Sequence, residues 1–155
     1  MKRSVQDYLY VSLQLILFGL FGYSELVHSR WIPLDLPKVP TALSIGLIVL
    51  GHLIIGIALL QLGKRLSPFP SPKDNARLLT GGVFRWMRHP IYTGILSAFL
   101  GWSLLVTSWD LVALTAALAL LFSVKASYEE KRLSQVFPEY EHYRKKTGKF
   151  LPWSK

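Results

Sequence analysis

The residues best suited to chemistry in this 155-residue chain lie in the segment Thr80–Gly94, which reads TGGVFRWMRHPIYTG. Its adjacent glycines allow a positive φ or a close backbone approach. Pro90 suits the first turn of a helix. Arg88 and His89 therefore fall at a helix start, where free amide groups favour an anionic ligand. The alternative interpretation is that Arg85 and Arg88 are interfacial anchors and that His89 is a solvated cap.

A second unusual group is Tyr128-Glu129-Glu130. Adjacent carboxylates flanked by Lys125 and Lys131 are usually a solvated charge cluster. Glu129, however, follows Lys125 by four residues, so both side chains would project from one face of a helix. This spacing makes Glu129 a candidate for the same site as Arg88 and His89.

Other chemistry has little support in the sequence. The chain has no cysteine, which excludes disulfides, Cys-based metal sites and a Cys nucleophile. Metalloprotease, P-loop, dinucleotide-binding and nucleophile-elbow motifs are missing from the sequence, and we predict no metal site. His52 lies inside an apolar stretch without a carboxylate, and we predict a structural role in which it hydrogen-bonds within a bundle.

The elements that must position these residues are membrane spans. Hydrophobic residues make up 51% of the chain and charged residues only 17%. Crossing the hydrocarbon core takes about 20 apolar residues, and four stretches without Asp, Glu, Lys or Arg approach or exceed that length. We predict an all-α, multi-pass transmembrane bundle of about four spans. The stretches are Tyr8–Ser24, Val39–Gly63, His89–Trp109 and Leu111–Val124.

The first and fourth stretches are shorter than the roughly 20 residues that a span needs. The first extends to Val27 and reads as a retained span, because no small-residue cleavage site of a signal peptide follows it. The fourth is short, and we expect Lys125 to extend it by reaching the interface with its ammonium group.

Charge sets the orientation. Four spans leave 16 of the 18 Lys and Arg residues on one side, which the positive-inside rule makes cytoplasmic. We therefore predict that both termini and the candidate site are cytoplasmic, in what is expected to be a bacterial inner membrane. The net charge of +9 then reflects topology and attraction to anionic membrane lipids, and nucleic acid is not an expected partner.

The last two spans form a predicted hairpin with a turn at Ser108-Trp109-Asp110. This topology alone brings His89, Tyr92 and Glu129 together on the cytoplasmic face. After Glu130, apolar residues at three- and four-residue spacing predict one C-terminal amphipathic cytoplasmic helix; they are Leu133, Phe137, Tyr140 and Tyr143. We treat residues 1–155 as one integral membrane domain, with two N-terminal spans in 1–65 and a binding module in 66–155.

Residues 72–153 resemble the isoprenylcysteine carboxyl methyltransferase family, whose superfamily includes phospholipid N-methyltransferases and shares a module with sterol reductases. The resemblance is carried by the LLTGGVF run from Leu78, the Arg88-His89-Pro90-Ile91-Tyr92 box, the Glu129-Glu130 pair and an aromatic tail ending at Phe150-Leu151-Pro152. Relatives often have Gly-Pro-Tyr where this chain has Gly82-Val83-Phe84, and their aromatic tail is one residue longer near Phe137.

The resemblance implies an enzyme that binds S-adenosylmethionine from the cytosol and methylates a lipophilic small molecule or lipidated substrate entering from the bilayer. His89, Tyr92 and Glu129 would be the catalytic residues. The cofactor-binding set would be Arg77, Leu78, Leu79, Phe84, Arg88, His89, Pro90, Tyr92 and Glu129. Lys125 stands where relatives have a substrate-side Arg.

The sequence leaves several alternatives open. The acceptor could be an isoprenylcysteine-type or lipid carboxylate, or a lipid amine as in the phospholipid enzymes. An NADPH-dependent reductase sharing the module and a non-catalytic membrane scaffold are the other interpretations. The sequence does not specify the oligomeric state.

Overall fold

A computed structural model describes residues 4–27, 39–63, 67 and 78–152. The described part contains five α-helices and one 3-10 turn, Gly82–Arg85, before the third helix. Its single β-like feature is an isolated parallel bridge between Met87 and Gly148. The helices are α1 (Val5–Leu26), α2 (Thr41–Leu62), α3 (Pro90–Leu105), α4 (Trp109–Val136) and α5 (Tyr140–Lys146).

Three of these helices, α1, α2 and α4, are long and apolar enough to cross a membrane by length and composition. Helix α3 has 16 residues, a length of about 24 Å at 1.5 Å per residue. This is shorter than the roughly 30 Å hydrocarbon core. The predicted all-helical, multi-pass membrane architecture is confirmed, whereas the count of four spans stays a prediction.

Helices α2 and α3 pack with their backbones nearly in contact. A Cβ atom on Gly51 would lie 2.5 Å from the carbonyl oxygen of Gly94 and 2.8 Å from the amide nitrogen of Ala98. Ser97 donates a hydrogen bond across the interface to the Leu47 carbonyl, at 2.8 Å. Small residues allow such an approach between membrane helices, where van der Waals packing and interhelical hydrogen bonds drive association.

The predicted helical hairpin is formed by α3 and α4, although its turn lies slightly earlier than expected. Trp109 and Asp110 are already helical, because Ser108 is the N-cap and its hydroxyl accepts from the Leu111 amide at 3.4 Å. Thr107 adopts a positive φ of 51° in the turn. The reversal brings the start of α3 beside the second half of α4.

Helix α1 packs antiparallel to α4. The Tyr10 ring lies 5.4 Å from that of Tyr128. Gln14, one turn later in α1, contacts Lys125, one turn earlier in α4. The Phe21 ring also lies 4.2 Å from Phe99 of α3. These contacts hold α1 against α3 and α4.

The prediction of one continuous C-terminal amphipathic helix is wrong in detail. Helix α4 continues to Val136, the chain breaks at Phe137, and α5 begins at Tyr140. Phe137 is extended, with φ −121° and ψ 104°, because the residue before a proline disfavours the helical region and Pro138 follows it.

His52 is exposed on α2, and its Nδ1 lies 2.8 Å from the Ile48 carbonyl oxygen. Its hydrogen bond is therefore made to its own helix, one turn earlier. This contact satisfies one ring nitrogen within α2 itself, so the expected hydrogen bond to another helix of the bundle is not found among the described contacts. The structural role of His52 stays a prediction.

The close approach of α2 and α3 predicts a position-specific response to added methyl groups. Gly51→Ala should lower the free energy of unfolding by about 1–3 kcal/mol, because the new methyl forces the helices apart. Gly46→Ala on the same helix is the matched control, since a Cβ there meets nothing within 4 Å. Thermal unfolding in detergent checks this pair, and equal melting temperatures would contradict the packing described.

Candidate active site

An ion pair between Arg88 and Glu130 lies at the centre of the site. The Arg88 Nε is 2.9 Å from Glu130 Oε1, and the two side chains are only 10% and 8% exposed. Arg88 Nη1 also donates to the carbonyl oxygens of Arg144, at 3.0 Å, and Thr147. The guanidinium thus joins the start of α3 to α4 and to the chain after α5.

His89 hydrogen-bonds to the same carboxylate oxygen. Its Nε2 lies 3.0 Å from Glu130 Oε1, and the residue is buried. An ionised carboxylate can only accept hydrogen bonds, so Nε2 must carry the proton in this contact. In the neutral form of the ring, Nδ1 is then an acceptor. The solvated-cap interpretation of His89 does not hold.

Glu129 makes different contacts from those of Glu130. Its Oε2 accepts a hydrogen bond of 3.1 Å from the Tyr92 hydroxyl and lies 3.8 Å from His89 Nδ1, beyond hydrogen-bond distance. The Glu129 side chain is 28% exposed, against 8% for Glu130. Glu129 is therefore the more accessible of the two adjacent carboxylates.

The Tyr92 ring is held between two other rings. It is parallel to His89 within 1°, with centroids 5.4 Å apart, and lies at 16° to Phe122, with centroids 4.4 Å apart. Aromatic pairs favour such offset stacking. Because the ring is fixed in this way, the direction of the Tyr92 hydroxyl toward Glu129 is fixed as well.

A C-terminal strap, residues 147–150, lies against the start of α3. The Gly148 carbonyl accepts from the Arg88 amide at 2.9 Å, and the Lys149 carbonyl accepts from the His89 amide at 3.1 Å. These bonds satisfy two amides that precede the helix and have no partner within it. The Thr93 hydroxyl lies 2.6 Å from the Phe150 carbonyl oxygen.

Lys149 attaches the strap to α4. Its ammonium donates to the Ser123 carbonyl and the Ser127 hydroxyl, both at 2.8 Å. Burial lowers the pKa of Lys149, an effect that the Glu130 charge opposes. The strap is therefore bonded to both helices of the hairpin.

The 3-10 turn is fixed from two sides. The Tyr143 hydroxyl donates to the Phe84 carbonyl at 2.5 Å, and the Val83 amide donates to Gln61 Oε1 of α2 at 3.1 Å. Burial raises the pKa of Tyr143 to about 12, so the phenol remains a donor at neutral pH. Gly82 has a φ of 60°, which favours glycine, and a Cβ there would require the Gln61 side chain to shift.

Lys125 does not extend to the interface, so that prediction is wrong. The residue is 1% exposed. Its ammonium donates to Gln14 Oε1 of α1 at 2.5 Å and lies 5.4 Å from the centroid of the Tyr92 ring. These partners inside the bundle replace the interfacial water that a snorkelling lysine would reach.

The structure brings most of the sequence-predicted site residues together. Arg88, His89, Tyr92, Lys125 and Glu129 form one connected cluster. Of the remaining predicted residues, Pro90 is the buried first residue of α3, Phe84 is buried in the 3-10 turn, and Leu78 and Leu79 are half-buried before that turn. Arg77 lies outside the described residues.

Sequence reasoning missed four participants: Gln14, Phe122, Lys149 and the central position of Glu130. Gln14 had a detectable signal, because it is the only carboxamide in the stretch Tyr8–Ser24. Polar residues inside membrane spans are functional candidates. Phe122 and Lys149 carry no such signal, because an apolar residue in a span and a lysine in a basic tail are ordinary.

The sequence is similar to a known family and to known proteins. The phospholipid methyltransferase family matches residues 39–140. A probable protein-S-isoprenylcysteine O-methyltransferase of Oryza sativa subsp. indica is 30% identical over 151 residues, covering 94% of this chain and 79% of that protein. The cobalt-zinc-cadmium resistance protein CzcN of Cupriavidus metallidurans is 31% identical over 136 residues, covering 86% of this chain and 56% of that protein.

The fold is also similar to a solved structure, that of a eukaryotic intramembrane Ras methyltransferase. The TM-score is 0.64 at 22% identity, over 99% of this chain and 54% of the other. Likeness at this identity shows the fold. The chain thus spans about half the length of that protein and of CzcN.

The two adjacent carboxylates should respond differently to removal. Glu130→Ala leaves Arg88 buried without its partner and should lower the free energy of unfolding by about 3–5 kcal/mol. Glu129→Ala removes one hydrogen bond from Tyr92 and should cost about 1 kcal/mol. Thermal unfolding in detergent compares the two variants, and equal destabilisation would contradict the central position of Glu130.

Proposed function

Because this chain belongs to the phospholipid methyltransferase family, we propose that it is a membrane-embedded, S-adenosylmethionine-dependent methyltransferase. The acceptor proposed is lipophilic and carries a carboxylate, as in an isoprenylcysteine or a lipid acid. The family match confirms the resemblance found in the sequence. The observation that carries the proposal is the cluster of His89, Tyr92 and Glu129 within the matched fold.

The hydrogen-bond acceptors of this cluster suit the proposed cofactor. His89 Nδ1 and Glu129 Oε2 are two hydrogen-bond acceptors 3.8 Å apart, with no bond between them. Glu129 Oε2 already accepts from the Tyr92 hydroxyl, and a ligand ammonium or hydroxyl group would offer further donors to both acceptors. The negative charge of Glu129 would also favour a cationic ligand, and S-adenosylmethionine carries both an ammonium and a sulfonium.

We therefore assign Glu129, His89 and Tyr92 to direct cofactor contact. Arg88 is proposed to act through Glu130, since its described contacts are to the protein. Pro90, Phe84, Leu78, Leu79 and Arg77 remain proposed lining residues of the cofactor site. Glu130 is a positioning residue, because it orients His89 through the Nε2 contact.

When bound, S-adenosylmethionine would supply an electrophilic methyl group, which passes to a nucleophile as its bond to sulfur breaks and S-adenosylhomocysteine is released. The contribution of the chain is to hold the reactants in line and to exclude water, which can lower a barrier by about 7–11 kcal/mol. A carboxylate is ionised at neutral pH and needs no general base. The site therefore needs no proton acceptor for this reaction, which agrees with Glu129 as a ligand.

The acceptor is proposed to enter from the bilayer and to meet Lys125 with its polar end. The cofactor site is proposed to face the cytoplasm, because the basic residues concentrate on that side. A lipid amine is the second candidate acceptor, favoured by the name of the matching family. An amine would have to lose a proton before attack.

Cofactor binding tests the proposal directly. We expect detergent-purified protein to bind S-adenosylmethionine saturably, and Glu129→Gln to weaken binding about tenfold, the effect of 1.4 kcal/mol. Calorimetry or equilibrium dialysis measures this. Glu139→Gln is the matched control, because Glu139 is an exposed residue without a described ion pair. Binding of NADPH instead would favour the reductase interpretation. If folded protein binds neither ligand, the non-catalytic scaffold is the interpretation that remains.

The bond formed distinguishes the two acceptor classes. Incubation of membranes with S-adenosylmethionine labelled in the methyl group should yield lipid-soluble label that mild alkali releases as methanol, because esters hydrolyse and N-methyl amines do not. Wild-type protein is compared with Glu129→Gln. Label that survives alkali would identify an amine acceptor and overturn the carboxylate assignment.

A further inference from the structure

We propose that Gln14 of α1 determines acceptor specificity by receiving, together with Lys125, the anionic group of the acceptor. This inference rests on the proposed function and names the substrate class of the same site. It makes α1 part of the acceptor site, although α1 lies outside residues 39–140, which the family model matches.

The first observation is an incompletely neutralised charge. Lys125 is 1% exposed, and a buried ammonium costs several kcal/mol unless it is paired. None of the ion pairs within 4 Å among the described residues includes Lys125. Its direct partners are an amide oxygen and a ring face. The charge of Glu129 acts on the ammonium only from beyond 4 Å, so no described carboxylate contacts the ammonium and an anion could bind there.

The second observation is the position of this charge. Tyr92 contacts both halves of the site, because its hydroxyl donates to Glu129 and its ring lies beneath the Lys125 ammonium. An anion bound at Lys125 would thus lie next to the cluster proposed for the cofactor. This adjacency is what transfer between two bound molecules requires.

The third observation is the chemistry of Gln14 itself. Its carbonyl oxygen accepts from Lys125 at 2.5 Å, and the same amide carries an NH2 group with two donors. Gln14 is half-buried, and Lys125 is its one described side-chain partner. An ammonium and an amide NH2 together favour a carboxylate and disfavour a protonated amine.

Binding of two matched probes tests the inference. The probes are N-acetyl-S-farnesyl-L-cysteine, an anionic lipophilic carboxylate, and its neutral carboxamide. In wild-type protein the carboxylate should bind about tenfold more tightly, as expected for a charge-assisted contact. Gln14→Glu places a competing carboxylate on Lys125 and should abolish the preference, raising the Kd of the anionic probe about tenfold.

Gln14→Met separates charge from shape. The methionine removes the amide without adding a charge, so Lys125 should still favour the carboxylate, with the Kd of the anionic probe raised about threefold. The melting temperature of each variant is measured in parallel. If Gln14→Glu does not fold, the threefold effect of Gln14→Met decides the question.

The control readout is the Kd of S-adenosylmethionine, which should change less than twofold in both variants. A carboxylate preference that survives in folded Gln14→Glu would overturn this inference, and so would the absence of a preference in wild-type protein. In either case, binding of S-adenosylmethionine would leave the proposed function intact. If wild-type protein binds neither probe, the anionic acceptor class is wrong. Failure to bind S-adenosylmethionine would instead overturn the proposed function.

Discussion

Burial of the Glu130 carboxylate is the constraint on which the site depends. One oxygen accepts from Arg88 and from His89, and the guanidinium also binds two carbonyl oxygens near the end of the chain. An unpaired charge at this depth would be strongly destabilising. The start of α3, the second half of α4 and the strap must therefore assemble together. Their common partner fixes the direction of the His89 ring.

Fixing Glu130 in this way separates the roles of two neighbouring carboxylates. Consecutive helical residues point about 100° apart, so Glu129 and Glu130 make different hydrogen bonds, although both lie near His89. Glu130 faces Arg88 and holds the structure. Glu129 faces Tyr92 and keeps part of its surface accessible, which is what a ligand-binding carboxylate requires.

The membrane sets the second constraint. Polar groups in an apolar medium must find partners within the protein, and the site residues on α3 and α4 find them in each other and in α1. Gln14 is the clearest case, because it contacts the buried ammonium of Lys125. The close packing of α2 against α3 supports the other side and places Gln61 under the 3-10 turn.

The sequence by itself determined the helical membrane architecture, the hairpin and the convergence of His89, Tyr92 and Glu129. These features follow from local properties: apolar length, a proline at a helix start and the reversal of the chain. Only the tertiary structure decided that Glu130 pairs with Arg88 and that Gln14 contacts Lys125. The sequence around the two adjacent carboxylates does not show which of them pairs with Arg88. Contacts between positions 14 and 125 depend on how helices that are distant in sequence pack together. That packing has no local signal in the sequence.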